Sequence, residues 1–134
     1  KWKLFPYPTL FRSYHFFKQN ILFTGDTLFS LGCGRIFEGT YEQMFSSLQI
    51  IKSFPLETKI YCGHEYTLKN SEFCFKNDEK NSALLKKIRL IKKLINDGLP
   101  SIPSTIKEEL ECNIFLKAKD VGSFSKLRDL KDKF

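Results

Sequence analysis

The sequence lacks features that define several classes of protein. No stretch approaches the roughly 18 consecutive apolar residues that span a bilayer, and no internal repeat indicates a solenoid. The four cysteines, at positions 33, 62, 74 and 112, include no Cys-x-x-Cys pair and no histidine spacing typical of a zinc finger. No charged and then apolar leader ends at a small-residue cleavage site. We therefore expect reduced thiols in a soluble, cytoplasmic protein.

The composition is sufficient for a packed core. Hydrophobic residues make up 42% of the chain and aromatic residues 15%, which suits one globular domain or a part of a larger one. The formal net charge of +7 would favour nucleic acid, a membrane surface or an anionic small molecule as a partner. Three of the 22 basic residues lie in the first twelve positions, so the weight of this charge depends on that segment.

Residues 1–13 have an unusual sequence. The segment KWKLFPYPTLFRS has neither helical nor strand periodicity, and its two prolines interrupt either element. Residues 4–13 resemble the in-frame translation of a common sequencing adapter, LFPYTTLFRS, and differ from it only at Pro8. We predict that residues 1–13 are a non-native leader, outside the fold prediction. The alternative is a genuine aromatic strand that packs on the sheet.

Residues 14–66 have the pattern of an α/β unit. Residues 14–26 predict a β-hairpin with a polar turn at 18–20, and a glycine-rich loop follows at 30–40. Thr40 and Gln43 form a capping-box pattern at the start of a helix over residues 40–53. The sequence TKIYCGH, residues 58–64, predicts another strand. Strands alternating with a helix indicate a layered α/β fold with a site at one sheet edge.

Beyond Tyr66 the sequence predicts helices. Six apolar residues recur at helical spacing, namely Leu84, Leu85, Ile88, Ile91, Leu94 and Ile95. We expect basic residues 86, 87, 89, 92 and 93 on the opposite, solvated face, and a helix end at Gly98 and Pro100. Thr105 and Glu108 predict the cap of a short helix, and residues 123–134 predict a last one.

Asp26 and His64 occupy equivalent places in the predicted α/β unit. Each follows an apolar strand and lies next to glycine in a turn, in the sequences TGDT and CGHE. Alone, Asp26 fits a turn cap and His64 fits a hydrogen-bonded structural residue. Together, a carboxylate and a neutral imidazole suit Zn²⁺ or a related divalent ion, but a catalytic ion needs about three protein ligands. The pair therefore indicates either part of a metal site or no metal site.

Four segments give the sequence a more specific character. They are, in order, LFTGDTLFSLGCGRIFEGT, YCGHEYT, PSTIKEELECNIFL and the terminal LRDLKDKF. Together they resemble glyoxalase II, the hydroxyacylglutathione hydrolase family of the metallo-β-lactamase superfamily. The Gly-Asp-Thr element is typical of the superfamily, whereas Gly-Cys-Gly-Arg, Gly-His-Glu-Tyr-Thr and Arg-x-x-Lys-Asp narrow the resemblance to glutathione thioesterases.

The resemblance covers residues 14–134 and implies an α/β fold. The expected architecture is the C-terminal half of a metallo-β-lactamase αββα sandwich, followed by a small all-α domain. The expected division is a partial metallo-β-lactamase domain at 14–66 and a helical glutathione-binding domain at 67–134.

The resemblance also implies a hydrolytic site with two divalent metal ions. Zinc is the expected metal, with iron or manganese as alternatives. Asp26 would bridge the two ions and His64 would bind the second, so both are the implied catalytic residues. A metal pair of this kind makes a shared water acidic enough to provide hydroxide near neutral pH. The implied reaction is hydrolysis of S-D-lactoylglutathione to glutathione and D-lactate.

Five substrate-binding positions follow from the same resemblance. Arg35 in the glycine-rich loop and Tyr66 after the histidine would contact glutathione. Arg128 and Lys131, on one face of the last helix, would bind its glycine carboxylate; without the resemblance they fit a solvated basic helix end. Phe37 stands where the family often has tyrosine, so it offers packing and no hydrogen bond. The implied partner is a small glutathione thioester, and we expect a monomer that binds neither nucleic acid nor membranes.

Most of the family's metal ligands are absent from this sequence. The motifs Thr-His-x-His-x-Asp-His and Gly-His are expected before Tyr14, and residues 1–13 resemble neither. His15 lies among residues that resemble the following strand, so we interpret it as a strand residue. We expect an inactive, poorly soluble fragment, because two ligands do not hold two metals tightly and half a sandwich leaves one sheet face uncovered.

Two alternative functions stay open in the sequence. One is another metallo-β-lactamase-fold enzyme acting on glutathione thiol derivatives, such as a persulfide dioxygenase-like protein with one iron; the terminal Arg-x-x-Lys and the helical domain argue against it. The other is a basic helical module at residues 80–97 that binds nucleic acid. Its lysines oppose an apolar stripe without aromatic or arginine-rich interleaving, which is typical of an ordinary solvated helix face.

Overall fold

The computed structural model describes the backbone of residues 2–4 and all of residues 13–134. The strands in these ranges are β1 (Trp2–Leu4), β2 (Tyr14–Phe16), β3 (Ile21–Gly25), β4 (Leu28–Phe29), β5 (Gly32–Cys33), β6 (Lys59–Cys62) and β7 (Ser104–Thr105). The helices are α1 (Tyr41–Lys52), α2 (Thr67–Asn77), α3 (Ser82–Asn96), α4 (Ile106–Cys112), α5 (Ile114–Lys117) and α6 (Val121–Asp132). The fold is mixed α/β with a small sheet, which confirms the predicted fold class.

The main sheet has the strand order β1-β2-β3-β6-β7. Strands β2 and β3 form the predicted hairpin, in which His15 lies opposite Leu22. Asn20, in the turn, has a positive φ of 56°, a conformation that asparagine tolerates better than most residues. Strand β6 pairs parallel with β3 after the crossover through α1, so both strands end at the same edge of the sheet.

Four of the strands were not part of the leading prediction. Residues 1–13 were predicted to be a non-native leader, with an aromatic strand as the alternative, and Trp2–Leu4 form β1, which pairs antiparallel with β2. The glycine-rich loop contains the two-stranded ribbon of β4 and β5. Strand β7, from the helical part, pairs with β6. Residues 1 and 5–12 lie outside the described residues, so the leader hypothesis stays a prediction.

Local sequence signals placed the helix starts correctly. Thr40 accepts a hydrogen bond from the Gln43 amide at 3.2 Å, and the Gln43 side chain accepts one from the Thr40 amide at 3.0 Å, which closes the predicted capping box. Thr105 and Glu108 form the second predicted box at α4. Helix α3 ends at Asn96, and Gly98 follows with a φ of 70°.

Lys87 corrects the prediction for α3. It was expected on the solvated face, but it is buried, with Nζ 3.3 Å from Glu108 Oε2 and 3.9 Å from Glu109 Oε1. Leu84 and Ile91, at helical spacing from Lys87, are also buried, so all three belong to one face. A lysine tolerates that position because two glutamates of α4 neutralise it.

One hydrophobic core joins the sheet and the helices. It includes Leu22 and Ile60 from the sheet, Leu48 from α1 and Phe115 and Phe124 from the helical part. Side chains on the other face of the central strands are less covered, and Phe23 of β3 is 42% exposed. This core and β7 connect the segments before and after residue 66. The domain boundary between residues 66 and 67 stays a prediction.

Candidate functional site

Asp26 projects from a tight turn at the end of β3. Gly25 precedes it with a φ of 50°, a left-handed conformation that glycine adopts without steric cost. The Thr27 amide donates to the Thr24 carbonyl at 2.9 Å, and Thr24 Oγ1 donates to the Leu28 carbonyl at 2.7 Å. These bonds fix the turn while the Asp26 carboxylate stays exposed.

His64 lies at the end of the neighbouring strand β6. The Gly63 amide donates to the Gly25 carbonyl at 2.8 Å, which links the two turns. His64 Nε2 is 3.4 Å from Asp26 Oδ1. A Cβ at position 63 would lie 2.7 Å from that same oxygen and 3.2 Å from the Gly25 carbonyl oxygen, so a larger residue there would displace the Asp26 carboxylate. The structure therefore brings together the two residues that the sequence singled out.

Aromatic rings and partly buried hydrogen bonds hold the His64 turn. The His64 ring stacks on Tyr66, with centroids 4.9 Å apart and planes at 14°. Phe29 packs edge-on against Tyr66 at 5.2 Å. The Glu65 carboxylate accepts hydrogen bonds from the Ser101 amide at 3.1 Å and from the Ser101 hydroxyl. The turn is thereby anchored to the segment that follows α3.

A pocket of about 610 Å³ opens beside Asp26 and His64. Its walls include all seven residues that the sequence analysis singled out, namely Asp26, Arg35, Phe37, His64, Tyr66, Arg128 and Lys131. They come from the turn after β3, the glycine-rich loop, the turn after β6 and helix α6. The structure thus collects residues separated by up to about a hundred positions into one concave surface.

The wall formed by the glycine-rich loop is held by side chains of the helical part. The carbonyl oxygens of six consecutive residues, 29 to 34, each accept a hydrogen bond from Asn70, Cys74, Asn113 or Arg128. The distances lie between 2.7 and 3.4 Å. We call residues 29–34 the clamped loop, because its carbonyl positions are set by the helices.

Arg128 makes most of its contacts inside the protein. Its side chain is only 3% exposed, and Nη1 donates to the carbonyls of Cys33 at 2.7 Å and Gly34 at 3.4 Å. Nε and Nη2 donate to Asp132 Oδ1 at 3.2 and 2.8 Å. Among the described residues this leaves one N–H of Nη2 for a ligand. The role of Arg128 in binding a carboxylate stays a prediction.

The other predicted substrate residues are more accessible. Arg35 approaches Asp132 Oδ1 at 3.6 Å and is exposed. Phe37 is 86% exposed and makes the pocket rim apolar. Lys131 Nζ lies over the rings of Phe73 and Phe134, at 5.4 and 5.3 Å from their centroids. Burial, followed by the charge of Arg128, lowers the pKa of Lys131.

Cys33 lines the same pocket but is not suited to be a nucleophile. Burial raises the pKa of its thiol to about 11, although the neighbouring Arg128 acts in the opposite direction. A thiol with this pKa is almost entirely protonated near neutral pH, and the thiolate is the reactive form. The four cysteines of the described chain are free thiols.

Asp26 and His64 fit two positions of a divalent metal site. One offers a carboxylate oxygen and the other an imidazole nitrogen, both are exposed, and both face the pocket. Within residues 13–134, no group of three or more His, Cys, Asp or Glu side chains converges as a metal site would require. The assignment of Asp26 and His64 as metal ligands stays a prediction, and these two side chains could hold only part of a complete site.

Several residues of the site were missed by the sequence analysis. Asn70, Asn113 and Glu109 are buried polar residues that support the clamped loop. Lys69 lines the pocket from the first turn of α2. Their signal in the sequence is weak: a polar residue at a core position of an amphipathic helix is visible only after the helix phase is known.

Comparison with known families decides the assignment. The model of a family described as hydroxyacylglutathione hydrolase C-terminus matches residues 65–134, slightly more than half of the chain. This chain belongs to that family. The resemblance that the sequence motifs indicated is therefore confirmed, including the segments that supply Tyr66, Arg128 and Lys131.

Individual members of the hydroxyacylglutathione hydrolase family are similar over most of this chain. The hydroxyacylglutathione hydrolase of Pelagibacter ubique (strain HTCC1062) is 61% identical over 121 residues, which cover 90% of this chain and 51% of that protein. Those of Aeromonas hydrophila and Prochlorococcus marinus (strain MIT 9301) are 49% and 48% identical, over 78% and 84% of this chain. They are covered over 41% and 46% of their lengths. The chain thus spans about half the length of the curated relatives it matches.

Proposed function

We propose that this chain is the C-terminal portion of a thioester hydrolase that converts S-(2-hydroxyacyl)glutathione, such as S-D-lactoylglutathione, to glutathione and a 2-hydroxy acid. The observation that carries the proposal is the approach of Asp26 Oδ1 and His64 Nε2 to 3.4 Å at a pocket that also contains Arg35 and Lys131. Metal-type donors thus share one cavity with cations suited to an anionic thioester. The names of the relatives agree with this substrate class.

Asp26 and His64 would hold divalent metal, two zinc ions, with other ligands supplied from outside residues 13–134. The metal pair, when bound, would supply a hydroxide nucleophile and polarise the thioester carbonyl. Asp26 would bind through its carboxylate oxygens and His64 through an imidazole nitrogen. Gly63 and the two linked turns keep these donors in register before any ion binds.

The remaining pocket residues would bind and orient the glutathione part of the substrate. Arg35 and Lys131 provide accessible cations, and Arg128 provides its one remaining N–H. Tyr66 stacks on His64, so its ring can guide the thioester towards the donor pair. Phe37 offers apolar contact at the rim, since it lacks the hydroxyl that tyrosine would provide. These contacts would hold the thioester carbonyl next to Asp26 and His64. Holding the reacting groups in a fixed orientation lowers the barrier to hydrolysis.

We also propose that the sheet is half of a metallo-β-lactamase αββα sandwich, with residues 67–134 as the helical glutathione-binding domain. The exposed face around Phe23 and Tyr61 supports this arrangement, because a central strand seldom leaves a phenylalanine 42% exposed. The missing half of the sandwich would cover this face.

The protein would act as a cytoplasmic monomer without nucleic-acid or membrane partners. In the described residues no helix combines the length and apolar character needed to cross a membrane.

The proposal is tested by expressing the complete reading frame that contains this chain. We expect hydrolysis of S-D-lactoylglutathione and about two divalent ions per polypeptide by elemental analysis. Asp26→Asn and His64→Gln should each lower bound metal and reduce hydrolysis by at least about 100-fold. Asp97→Asn, an equivalent change at an exposed position directly after α3, is the control.

Four results would contradict parts of the proposal. Wild-type protein without thioesterase activity would exclude this reaction, and unchanged metal content in both variants would exclude the assigned ligands. One iron ion together with persulfide oxidation would favour the dioxygenase alternative. Turnover by residues 1–134 alone with stoichiometric zinc would show that the ligand set is already sufficient.

A further inference from the structure

The cations that line the pocket differ in how they are neutralised. Arg35 and Arg128 share one carboxylate, that of Asp132, at 3.6 and 2.8 Å. Within the described part of the chain, Lys69 and Lys131 form no ion pair, although both line the same pocket. Two unpaired ammonium groups are therefore available where the arginines are already engaged.

Lys69 and Lys131 line the same pocket and carry like charges. Lys131 lies against the rings of Phe73 and Phe134, and its pKa is lowered by burial, then by Arg128 and by Lys69. The exposed Glu72, one turn along α2 from Lys69, acts in the opposite direction but does not line the pocket. Two like charges at one pocket repel each other, and an anion bound between them reduces that repulsion.

We propose that Lys69 is a specificity-determining residue that, together with Lys131, binds a carboxylate of the glutathione part of the substrate. This inference deepens the proposed function and rests on it. Arg128 uses four of its five N–H groups within the protein, so it has little capacity left to bind a carboxylate. Lys69, which lines the same pocket as Lys131, can provide a second full positive charge instead. The helix α2 that carries Lys69 begins directly after Tyr66. One continuous segment of the chain would therefore contact both the thioester end and the carboxylate end of the substrate.

The test uses the full-length enzyme and three variants. In Lys69→Gln we expect KM for S-D-lactoylglutathione and Kd for glutathione to rise about tenfold, with kcat within about twofold, because a charged contact to the non-reacting end is lost. Lys69→Arg should recover most of the affinity. Lys76→Gln is the matched control: Lys76 lies on the same helix, with Nζ 5.4 Å from the Phe134 ring centroid, but it does not line the pocket.

A substrate with its glycine carboxylate amidated identifies the group that Lys69 contacts. The wild-type enzyme should lose at least the factor on this substrate that Lys69→Gln loses on the normal one, because amidation also removes the partner of Lys131. On this substrate Lys69→Gln should have nearly the same KM as the wild type, because the partner of Lys69 is already gone. Full multiplication of the two losses on this substrate, and again on one amidated at the γ-glutamyl carboxylate, would show that Lys69 contacts neither carboxylate and would overturn the proposal.

The failure of this inference differs from the failure of the proposed function. If the wild-type enzyme hydrolyses the thioester but Lys69→Gln has unchanged KM and glutathione affinity, the role of Lys69 is excluded and the function stands. If the wild-type enzyme neither hydrolyses the thioester nor binds glutathione, both fall together. A tenfold effect in Lys76→Gln as well would show a general charge effect and would also overturn the assignment.

Discussion

Single residues of this protein combine structural and functional roles, and Arg128 is the clearest case. Its guanidinium joins α6 to the clamped loop through the carbonyls of Cys33 and Gly34, and it also lies over the Phe115 ring at 5.1 Å. Lysine has the same charge but cannot make these contacts, because it has a single donor group instead of a planar fork. Arg128 therefore positions the wall that carries Arg35.

Arg128→Lys should destabilise the protein despite the conserved charge. We expect the free energy of unfolding to fall by about 1–3 kcal/mol, since buried carbonyl oxygens lose their donors. Urea denaturation measures this change, with Lys126→Gln on the exposed face of the same helix as a control. Wild-type stability in Arg128→Lys would show that the hydrogen bonds to the loop are dispensable.

His15 gives the protein a pH dependence at the residue scale. It is buried between the rings of Phe17 and Phe54, with centroids 4.2 and 4.4 Å away, and neither ring nitrogen has a hydrogen-bond partner within the described ranges. Burial lowers the pKa of His15 below its usual value of 6.5. The unfolded chain therefore binds a proton at a higher pH than the folded chain.

Stability should fall as the pH decreases below about 6.5, by at most about 1.4 kcal/mol per pH unit from this group. The stabilisation is complete above the unfolded pKa and is lost towards the lower folded pKa. Unfolding free energies measured across this range should show a smaller slope in His15→Phe than in the wild type. An unchanged slope in His15→Phe would contradict the prediction.

At the scale of elements, helix α4 supports the site through one buried carboxylate. Glu109 is fully buried and accepts hydrogen bonds from Ser30 Oγ, the Leu31 amide and Asn113 Nδ2 at 3.1, 2.9 and 2.9 Å. Leu31 has a positive φ of 59°, an uncommon conformation for a leucine. The hydrogen bond to Glu109 compensates for the strain of this turn between β4 and β5.

Glu109→Gln should loosen the clamped loop. A carboxamide removes the charge that faces Lys87 and brings a donor towards the Leu31 amide and the Asn113 amide group, which are donors themselves, so we expect a loss of about 2–3 kcal/mol in unfolding free energy. Hydrogen exchange of the Leu31 amide should become faster, because its acceptor is weakened. The exposed Glu111→Gln, on the same helix, serves for comparison. Unchanged protection of Leu31 in Glu109→Gln would mean that the loop holds its conformation without α4.

At the scale of the whole molecule, the sheet has one face covered by helices and one face with exposed aromatic side chains. Phe23 lies in the middle of the sheet and contacts Phe16 and Tyr61, with ring centroids 5.7 and 5.6 Å away. Such a face is suited to burial against a further layer. The proposed sandwich predicts opposite effects of a substitution there in the short and the complete protein.

Phe23→Thr should increase the solubility of residues 1–134 and destabilise the complete protein by about 2–4 kcal/mol, because the proposed covering layer would bury this ring. Soluble yield and urea denaturation of the two forms measure these effects. Phe37→Thr, at an exposed loop position, should have little effect on the stability of either form. A similar, small stability change for Phe23→Thr in both forms would argue against a covering layer.

The sequence alone determined the features that depend on residues close together in the chain, namely helix caps and turns. The two capping boxes at Thr40 and Thr105 join residues three positions apart, and the turns before Asp26 and His64 follow from glycine next to an apolar strand. Short-range hydrogen bonds and periodic burial are local, so a sequence pattern specifies them directly. The motifs were also sufficient for the family.

Only the tertiary structure decided which residues meet across long separations. Arg128 bonds to Cys33 across 95 positions, and Glu109 bonds to Leu31 across 78, so no local pattern distinguishes them from solvated charges. Lys87 was misplaced for the same reason, since its burial depends on the glutamates of α4. Burial of a charge is stable only with a partner, and the fold chooses that partner.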